Sequence, residues 1–317
     1  MLSPNRIDVH HHLVPPFWAE ALSRHGGDPS GWHSPAWSAD TSLAFMDAQR
    51  IATAVLSLTA PSVTGWETAS RREMARRVNE FGAELVARWP DRFGSFATLP
   101  LPDLEAALRE LEYAFDLLRA DGVVLLSNYA GHYLGDPAFG PLWSELDRRA
   151  AVVFIHPAKP QIPIIEDIPG PIVDYPFDTT RTAVQLVLSG VIARSPRVKI
   201  ILSHAGGFVP YAAHRFAELA PAVRSDVPSA PALIESFRSF YFDTALSSGP
   251  ASLLALQNFA RPGHILYGSD FPYAPASVGA SFTAKLDSFD LPRDVRTAIN
   301  NGGARQIFAR FSEAAAA

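Results

Sequence analysis

The chain has 317 residues, a formal net charge of −5 and no cysteine. Its length suits one barrel-sized α/β domain, and acidic and basic residues nearly balance without forming charged blocks, which excludes nucleic acid as a partner. The absence of cysteine excludes disulfides, thiolate metal sites and a cysteine nucleophile, so any metal ion must be held by nitrogen and oxygen atoms.

Membrane insertion is also excluded by the sequence pattern. No stretch reaches the roughly 18 consecutive apolar residues that a membrane span needs. The first residues lack both the basic lead and the long apolar core of a signal peptide. We therefore expect a cytoplasmic, soluble protein in which residues 1–317 form a single domain.

Short apolar runs rich in β-branched residues recur along the chain and predict strands. The predicted strands cover residues 6–9, 52–57, 93–98, 122–127, 152–155, 198–203, 240–244 and 265–268. Apolar residues at helical spacing lie between them, as across 74–89 and 104–118. Strands that are apolar on both faces are typical of a parallel sheet covered by helices. This alternation predicts a (β/α)8 TIM barrel of the α/β class.

Two connections are longer than a bare barrel requires. Residues 13–40 follow the first predicted strand and carry three tryptophans, and residues 157–178 follow the fifth strand and are rich in proline. Both follow the carboxyl end of a strand, which is the side where barrel enzymes build their active sites. We expect these insertions to form a lid over the mouth of the barrel.

Four histidines and an aspartate lie at the carboxyl ends of predicted strands. His10 and His12 follow strand one, His156 ends strand five, His204 ends strand six and Asp270 follows strand eight. In a barrel all of these ends face one mouth, so we expect the side chains to converge there. Imidazoles with a carboxylate are ligands for Zn(II), while Mn(II) and Co(II) are alternatives that the same donor atoms accept.

Spacing and lysine positions refine this predicted metal site. In an extended segment, residues i and i+2 face the same way, so His10 and His12 can share an ion while His11 turns to a supporting or solvent-facing position. A carboxylated lysine at the end of strand four would indicate two ions, but that strand ends at Ser127 and no lysine lies near its end. We therefore expect one divalent metal ion.

Four motifs together resemble a known family. They are the HxH of residues 10–12, FIHP at 154–157, SHAGG at 203–207 with a following Arg215, and GSDFP at 268–272. They resemble the amidohydrolase-related family that includes aminocarboxymuconate semialdehyde decarboxylase, and the pattern is most similar to salicylate-type decarboxylases such as those of 6-methylsalicylate. The resemblance implies a metal-dependent barrel, a homodimer and a small carboxylic acid as substrate.

The resemblance also implies residue roles. His10, His12, His156 and Asp270 would hold the metal ion, and His204 would be catalytic. The chain departs from its relatives at Ser34, where the aminocarboxymuconate enzyme has a substrate-binding arginine. It also has AGG after His204, where γ-resorcylate decarboxylases have glycine and glutamate. These departures favour a less charged aromatic acid as substrate.

The chemistry that the resemblance implies is the decarboxylation of a 2-hydroxybenzoate, with CO2 leaving after the ring carbon is protonated. Asp270 acts as the general acid, or His204 does so directly or through water. The candidate substrate-binding residues are Phe177, Phe271 and Tyr273 as walls of an aromatic pocket, and Arg215, which could instead brace the glycine turn.

The alternative activity uses the same ion differently. A metal-bound water would attack a lactone, ester or amide, which would make the protein a hydrolase or hydratase. The fold does not distinguish these reactions, because one barrel supports many chemistries. A barrel that binds ligand without turnover would be expected to lack a metal ligand or His204, and neither is missing.

Overall fold

The computed structural model describes residues 5–162 and 165–313. Within these ranges an eight-stranded sheet of parallel neighbours follows the order of the chain. Its strands are β1 Arg6–His12, β2 Ile51–Ser57, β3 Phe93–Thr98, β4 Gly122–Leu126, β5 Val152–His156, β6 Lys199–Leu202, β7 Tyr241–Asp243 and β8 Ile265–Leu266.

Backbone hydrogen bonds between β1 and the segment after β8 close the sheet. The amide of Val9 donates to the carbonyl of Tyr267 over 3.0 Å, and the amide of His12 donates to the carbonyl of Phe271 over 2.7 Å. In return, Asp270 donates its amide to the carbonyl of His10 over 2.8 Å. The predicted (β/α)8 TIM barrel is therefore confirmed.

Helices cover the outside of the barrel, because each strand feeds a helix that packs back onto the sheet. No described helix is sufficiently long and apolar to cross a membrane. The helices are α1 Pro16–Arg24, α2 Ala39–Ala48, α3 Thr68–Arg88, α4 Leu104–Asp116, α5 Gly140–Arg148, α6 Gly170–Leu188, α7 Val191–Arg194, α8 Val209–Val223, α9 Ala230–Arg238, α10 Pro250–Phe259, α11 Ala276–Ser288, α12 Arg293–Thr297, α13 Gly303–Ile307 and α14 Ala309–Glu313.

Every predicted strand overlaps an observed one, and the differences lie at the ends. β1 continues past Val9 to His12, because its backbone pairs with β2 on one side and with Phe271 on the other. β8 is shorter than predicted and ends at Leu266. The sequence pattern did not predict the short antiparallel hairpin that pairs Asn128–Tyr129 with His132–Tyr133.

The interior of the barrel is filled with apolar side chains below the mouth. Ile7 and Val9 belong to a buried cluster that also contains Phe96 and Phe154, and Phe308 joins it from beyond the last strand. A larger apolar layer lies between the sheet and the helices. The barrel is therefore a packed core, and only its mouth has room for chemistry.

Helix α6 is fixed to the barrel by a buried carboxylate. Asp178 accepts hydrogen bonds from the side chains of Ser127, Asn128 and Tyr133, the last two over 2.7 and 2.6 Å. The same Ser127 hydroxyl accepts the amide of Ala158 over 2.9 Å. Because buried polar groups that are paired hold their geometry, this network ties the middle of α6 to the segments that follow β4 and β5.

Candidate active site

A local irregularity in β1 turns the two predicted histidines toward the barrel interior. The pairing register of β1 against β2 shifts between Asp8 and His11, as in a β-bulge. Ile7 and Val9 pack in the interior cluster, yet the ring of His10 also contacts the interior Phe154, with ring centres 4.9 Å apart. A bulge changes which side chains face inward, so His10 and His12 reach the mouth together.

The five residues predicted to converge lie in contact at this mouth. The Nε2 atoms of His10 and His12 are 3.1 Å apart, and Asp270 Oδ1 lies 3.2 and 3.1 Å from them. Asp270 Oδ2 is 3.4 Å from His204 Nε2. Possible ligand atoms of His10, His156, His204 and Asp270 all lie within 4.8 Å of one another.

The hydrogen bonds of three histidines leave one ring nitrogen of each available. Nδ1 of His10 donates to Asp243 Oδ2 over 2.7 Å, Nδ1 of His12 to the Ser57 carbonyl over 3.1 Å, and Nδ1 of His156 to the Pro157 carbonyl over 2.9 Å. Since these acceptors require a proton on Nδ1, Nε2 is the nitrogen that can bind an ion. This donor set fits a divalent metal ion.

Burial and neighbouring charges separate the proton affinities of these groups. Burial alone would lower the pKa of His10, but the carboxylates of Asp243 and Asp270 raise it to about 10, so the ring must lose its Nε2 proton when an ion binds. Burial lowers the pKa of His12, and burial with neighbouring His12 and His10 lowers that of His156 well below its usual value. His156 is therefore a neutral imidazole, the form that binds a metal ion.

Asp270 is held in its charged form. Burial alone would raise its pKa, but the adjacent charge of His10 and the polar contacts with the ring nitrogens of His10, His12 and His204 lower it well below the usual value. A carboxylate that is buried beside several histidines can serve as an anionic ligand.

His204 is presented by a run of left-handed backbone conformations. His204, Ala205, Gly206 and Gly207 have φ angles of 52°, 58°, 71° and 63°. The amide of His204 donates to Asp243 Oδ1 over 2.8 Å, which fixes the start of this turn. Nδ1 of His204 is buried and has no hydrogen-bond partner within the described parts of the chain.

Asp243 is a site residue that the sequence reasoning missed. It ends β7, is fully buried, and joins His10 Nδ1 to the backbone of the His204 turn. Gly268 packs against it, and a Cβ there would lie 2.9 Å from the Cβ of His10 and 3.1 Å from that of Asp243. The sequence signal was an aspartate at the carboxyl end of a predicted strand, as at the other site positions.

The solvent-facing alternative for His11 is wrong. His11 is fully buried on the opposite side of β1, where Nδ1 donates to Asp8 Oδ2 over 3.1 Å and Nε2 lies 3.0 Å from Ser42 Oγ. Asp8 also accepts the amides of His10 and Ser269, each over 3.1 Å. This side of the strand faces helix α2 and not solvent, so His11 braces β1 against the segment that carries Asp270.

A cavity of about 390 Å³ opens beside the cluster. His156, His204 and Asp270 line one part of it, and the rest is largely apolar. The described residues that line it include no lysine or arginine. The apolar lining residues include Trp32, Ala60, Pro171, Ile172, Pro176, Leu246, Ala274, Pro275, Val278 and Phe282.

Both long insertions contribute to this cavity. Asp28 and Trp32 come from the first insertion, and Ile172 and Tyr175 come from the second. The insertions meet where the amide of Gly170 donates to the carbonyl of Ser30 over 3.0 Å. The second insertion is partly helical, because α6 begins at Gly170.

The structure separates the predicted substrate-binding residues. Tyr273 lines the cavity, and its ring lies edge-on to that of His12 with centres 5.5 Å apart. Phe271 does not line the cavity, because it is buried in a stack with Phe45 at 4.2 Å.

The other two predicted contacts lie farther out. Phe177 lines a separate outer groove, where its ring lies 4.3 Å from that of Phe208. Arg215 is exposed on α8 and lines neither cavity nor groove. The sequence pattern could not distinguish these helix faces, so neither residue is retained as a substrate contact.

Comparison with known proteins assigns the family. Residues 7–310 match the amidohydrolase family. The chain belongs to this family. Decarboxylase yanB of Aspergillus niger is 45% identical over 97% of this chain and 88% of its own length.

One further relative and one solved structure extend the comparison. The 6-methylsalicylic acid decarboxylase of Penicillium expansum is 44% identical over 96% of this chain and 97% of its own length. The crystal structure of 5-carboxyvanillate decarboxylase LigW from Sphingomonas paucimobilis matches with a TM-score of 0.84 and 27% identity, over 97% of this chain and 99% of that one. The family resemblance read from the motifs is therefore confirmed.

Proposed function

We propose that this amidohydrolase-family protein is a metal-dependent decarboxylase of a 2-hydroxybenzoate of the salicylate type. The observation that carries the proposal is the juxtaposition of the histidine–aspartate cluster with a largely apolar cavity of about 390 Å³. The cavity is large enough for a single substituted aromatic ring. The names of the two curated relatives, which are both decarboxylases, support the reaction class.

The proposal includes one divalent metal ion at the mouth of the barrel. His10, His12, His156 and Asp270 would hold it, and Zn(II) is the ion that this nitrogen-rich donor set favours. Such an ion supplies Lewis-acid stabilisation of negative charge on the carboxylate and phenolate oxygens of the substrate. Asp243 would keep the ring of His10 oriented through its 2.7 Å hydrogen bond.

His204 and Asp270 would control proton transfer to the substrate ring. The strongly lowered pKa of Asp270 keeps it a carboxylate, which favours His204 as the group that carries the proton toward the ring. The proton adds to the ring carbon that bears the carboxylate. The bond between this carbon and the carboxylate then breaks, its electron pair returns to the ring and CO2 leaves.

The lining of the cavity favours a substrate with one carboxylate and apolar substituents. No lysine or arginine among the described lining residues is available to neutralise a second carboxylate. Ile172, Val278 and Phe282 offer apolar contact to an alkyl group on the ring. Burial raises the pKa of Tyr273, so its hydroxyl remains protonated and can donate a hydrogen bond to the substrate.

The experiment that tests this function is a substrate panel. Protein loaded separately with Zn(II), Mn(II) and Co(II) is incubated with salicylate, 6-methylsalicylate, 2,6-dihydroxybenzoate, 5-carboxyvanillate and a lactone, and CO2 and ring absorbance are followed. We expect CO2 from the salicylates, with 6-methylsalicylate preferred over the dicarboxylate. Lactone opening without CO2 from any acid would overturn the proposal and favour the hydrolase alternative.

We also propose that the protein is a homodimer. An outer groove of about 1000 Å³ lies between α6 and α8 and is lined largely by apolar side chains. Phe177, Phe208 and Tyr211 in this groove are 44%, 37% and 85% exposed. Contiguous exposed apolar surface commonly marks an association site, which supports a second copy of the chain as its partner.

A further inference from the structure

A second chamber adjoins the central cavity. Its volume is about 480 Å³, and its lining includes Asn128, Lys159 and Gln161. Asp28, Ala60 and Tyr175 line both spaces, so the two spaces are adjacent. We call this second space the vestibule.

The vestibule differs from the central cavity in charge. Lys159 lines it, and it is the one lysine or arginine among the described residues that line either space. Lys159 follows His156 by three residues. The side-chain amide of Asn128 donates a hydrogen bond to the backbone carbonyl of Lys159 over 3.3 Å. The whole chain carries a net charge of −5, so the protein as a whole repels a carboxylate, whereas Lys159 attracts one at the vestibule.

Asp28 lies where the two chambers meet. Its Oδ1 atom accepts the amide of Ser30 over 2.8 Å, which holds the carboxyl group in the first insertion. Burial raises its pKa, and the charge of Lys159 acts in the opposite direction. The cation of Lys159 therefore offsets Asp28, the one acidic side chain among the described residues that line the vestibule.

We propose that the vestibule is the access route of the anionic substrate, and that Lys159 attracts its carboxylate toward the metal-binding cluster. This inference rests on the proposed decarboxylase function for the identity of the substrate. Lys159 acts on the approach and not on the chemical step, because it lines the vestibule and not the central cavity. An attraction of this kind raises association rates and weakens as salt is added.

The test replaces Lys159 in the metal-loaded protein. Association of salicylate is followed by stopped-flow fluorescence, since Trp32 lines the central cavity, and kcat and kcat/KM are measured in parallel. For K159Q we expect the association rate constant and kcat/KM to fall about threefold at an ionic strength of about 0.01 M, with less difference at about 0.15 M. The value of kcat should stay unchanged, and K159R should restore the wild-type association rate.

Two controls separate charge from structural damage. K199Q removes a lysine at the start of β6, at the other end of the barrel, and should behave as the wild type. Inhibition by the neutral phenol product should be unchanged in K159Q, because that ligand carries no charge to attract.

The outcomes distinguish the two proposals. Equal salicylate association rates and equal salt dependence in K159Q and the wild type would overturn the role of Lys159, whatever the turnover. Absence of CO2 from wild-type protein that does bind salicylate would overturn the decarboxylase function and leave the role of Lys159 to be judged by the association rates.

Discussion

At the scale of single residues, hydrogen bonding decides which nitrogen each histidine offers. Asp243 and the carbonyls of Ser57 and Pro157 occupy Nδ1 of three rings, so the Nε2 atoms are left for a shared ligand. The types and strand-end positions of these histidines could be read from the sequence. The acceptors of His10 and His12 could not, because Asp243 and Ser57 lie on other strands of the barrel.

Replacement of Asp270 by asparagine tests the central carboxylate. The amide keeps the size of the side chain but loses the negative charge that faces His10, His12 and His204. We expect kcat to fall by roughly a thousand-fold, the scale on which loss of a preorganised electrostatic contact acts. D294N, at an exposed position on α12, should retain wild-type kcat; a D270N enzyme with wild-type turnover would remove Asp270 from the mechanism.

Replacement of Asp243 by asparagine tests the hydrogen bond that orients the ring of His10. Its amide cannot accept the Nδ1–H of His10 and the His204 amide as a carboxylate does, so the His10 ring loses its fixed orientation. We expect metal affinity to fall by about 10- to 100-fold, measured by competition with a chromophoric chelator. Unchanged affinity would show that Asp243 only supports the backbone of the His204 turn.

At the scale of elements, the SHAGG turn sets the distance between α6 and α8. Gly207 has φ 63° and ψ −118°, and a Cβ there would lie 2.1 Å from the carbonyl oxygen of Pro176 and 2.7 Å from Thr180 Oγ1. Glycine is therefore required both by the backbone conformation and by the close approach of α6. The motif was visible in the sequence, but its packing partner was not.

The variant G207A should disturb both stability and the cavity. We expect the free energy of unfolding to fall by at least about 2 kcal/mol, because strain in the left-handed region adds to a backbone collision. Activity should fall as well, since Pro176 lines the cavity. Denaturant unfolding measures the loss, and G140A is the matched control: Gly140 has φ −50° and open space at its Cβ, so alanine there should be tolerated.

At the scale of the whole molecule, the outer groove predicts association. Wild-type protein should sediment at twice the chain mass of 34.4 kDa. Y211E places a charge in the groove, at a side chain that is 85% exposed in the single chain, and should give a monomer. L254E changes an apolar residue outside the groove that is 52% exposed and should leave the mass unchanged; a dimeric Y211E protein would place the interface elsewhere.

The sequence by itself determined the barrel and most of the site. Strand and helix periodicity is local, so the elements could be predicted from the sequence. Because parallel strands of a barrel bring their carboxyl ends to one mouth, the sequence also predicted that five residues converge there: His10, His12, His156, His204 and Asp270. Family membership followed from motifs spread over the whole chain. These features can be predicted from the sequence alone because each depends on residue type and position along a strand.

The tertiary structure decided what depends on neighbours distant in sequence. The β1 bulge turned His10 inward, and Asp243 proved to join His10 to the His204 turn. The cavity is not lined by Phe177, Phe271 or Arg215, because the sequence pattern did not specify which face of a helix or loop meets the cavity. Two insertions far apart in the chain, with Asp28 in one and Lys159 in the other, formed the cavity and its vestibule only through packing.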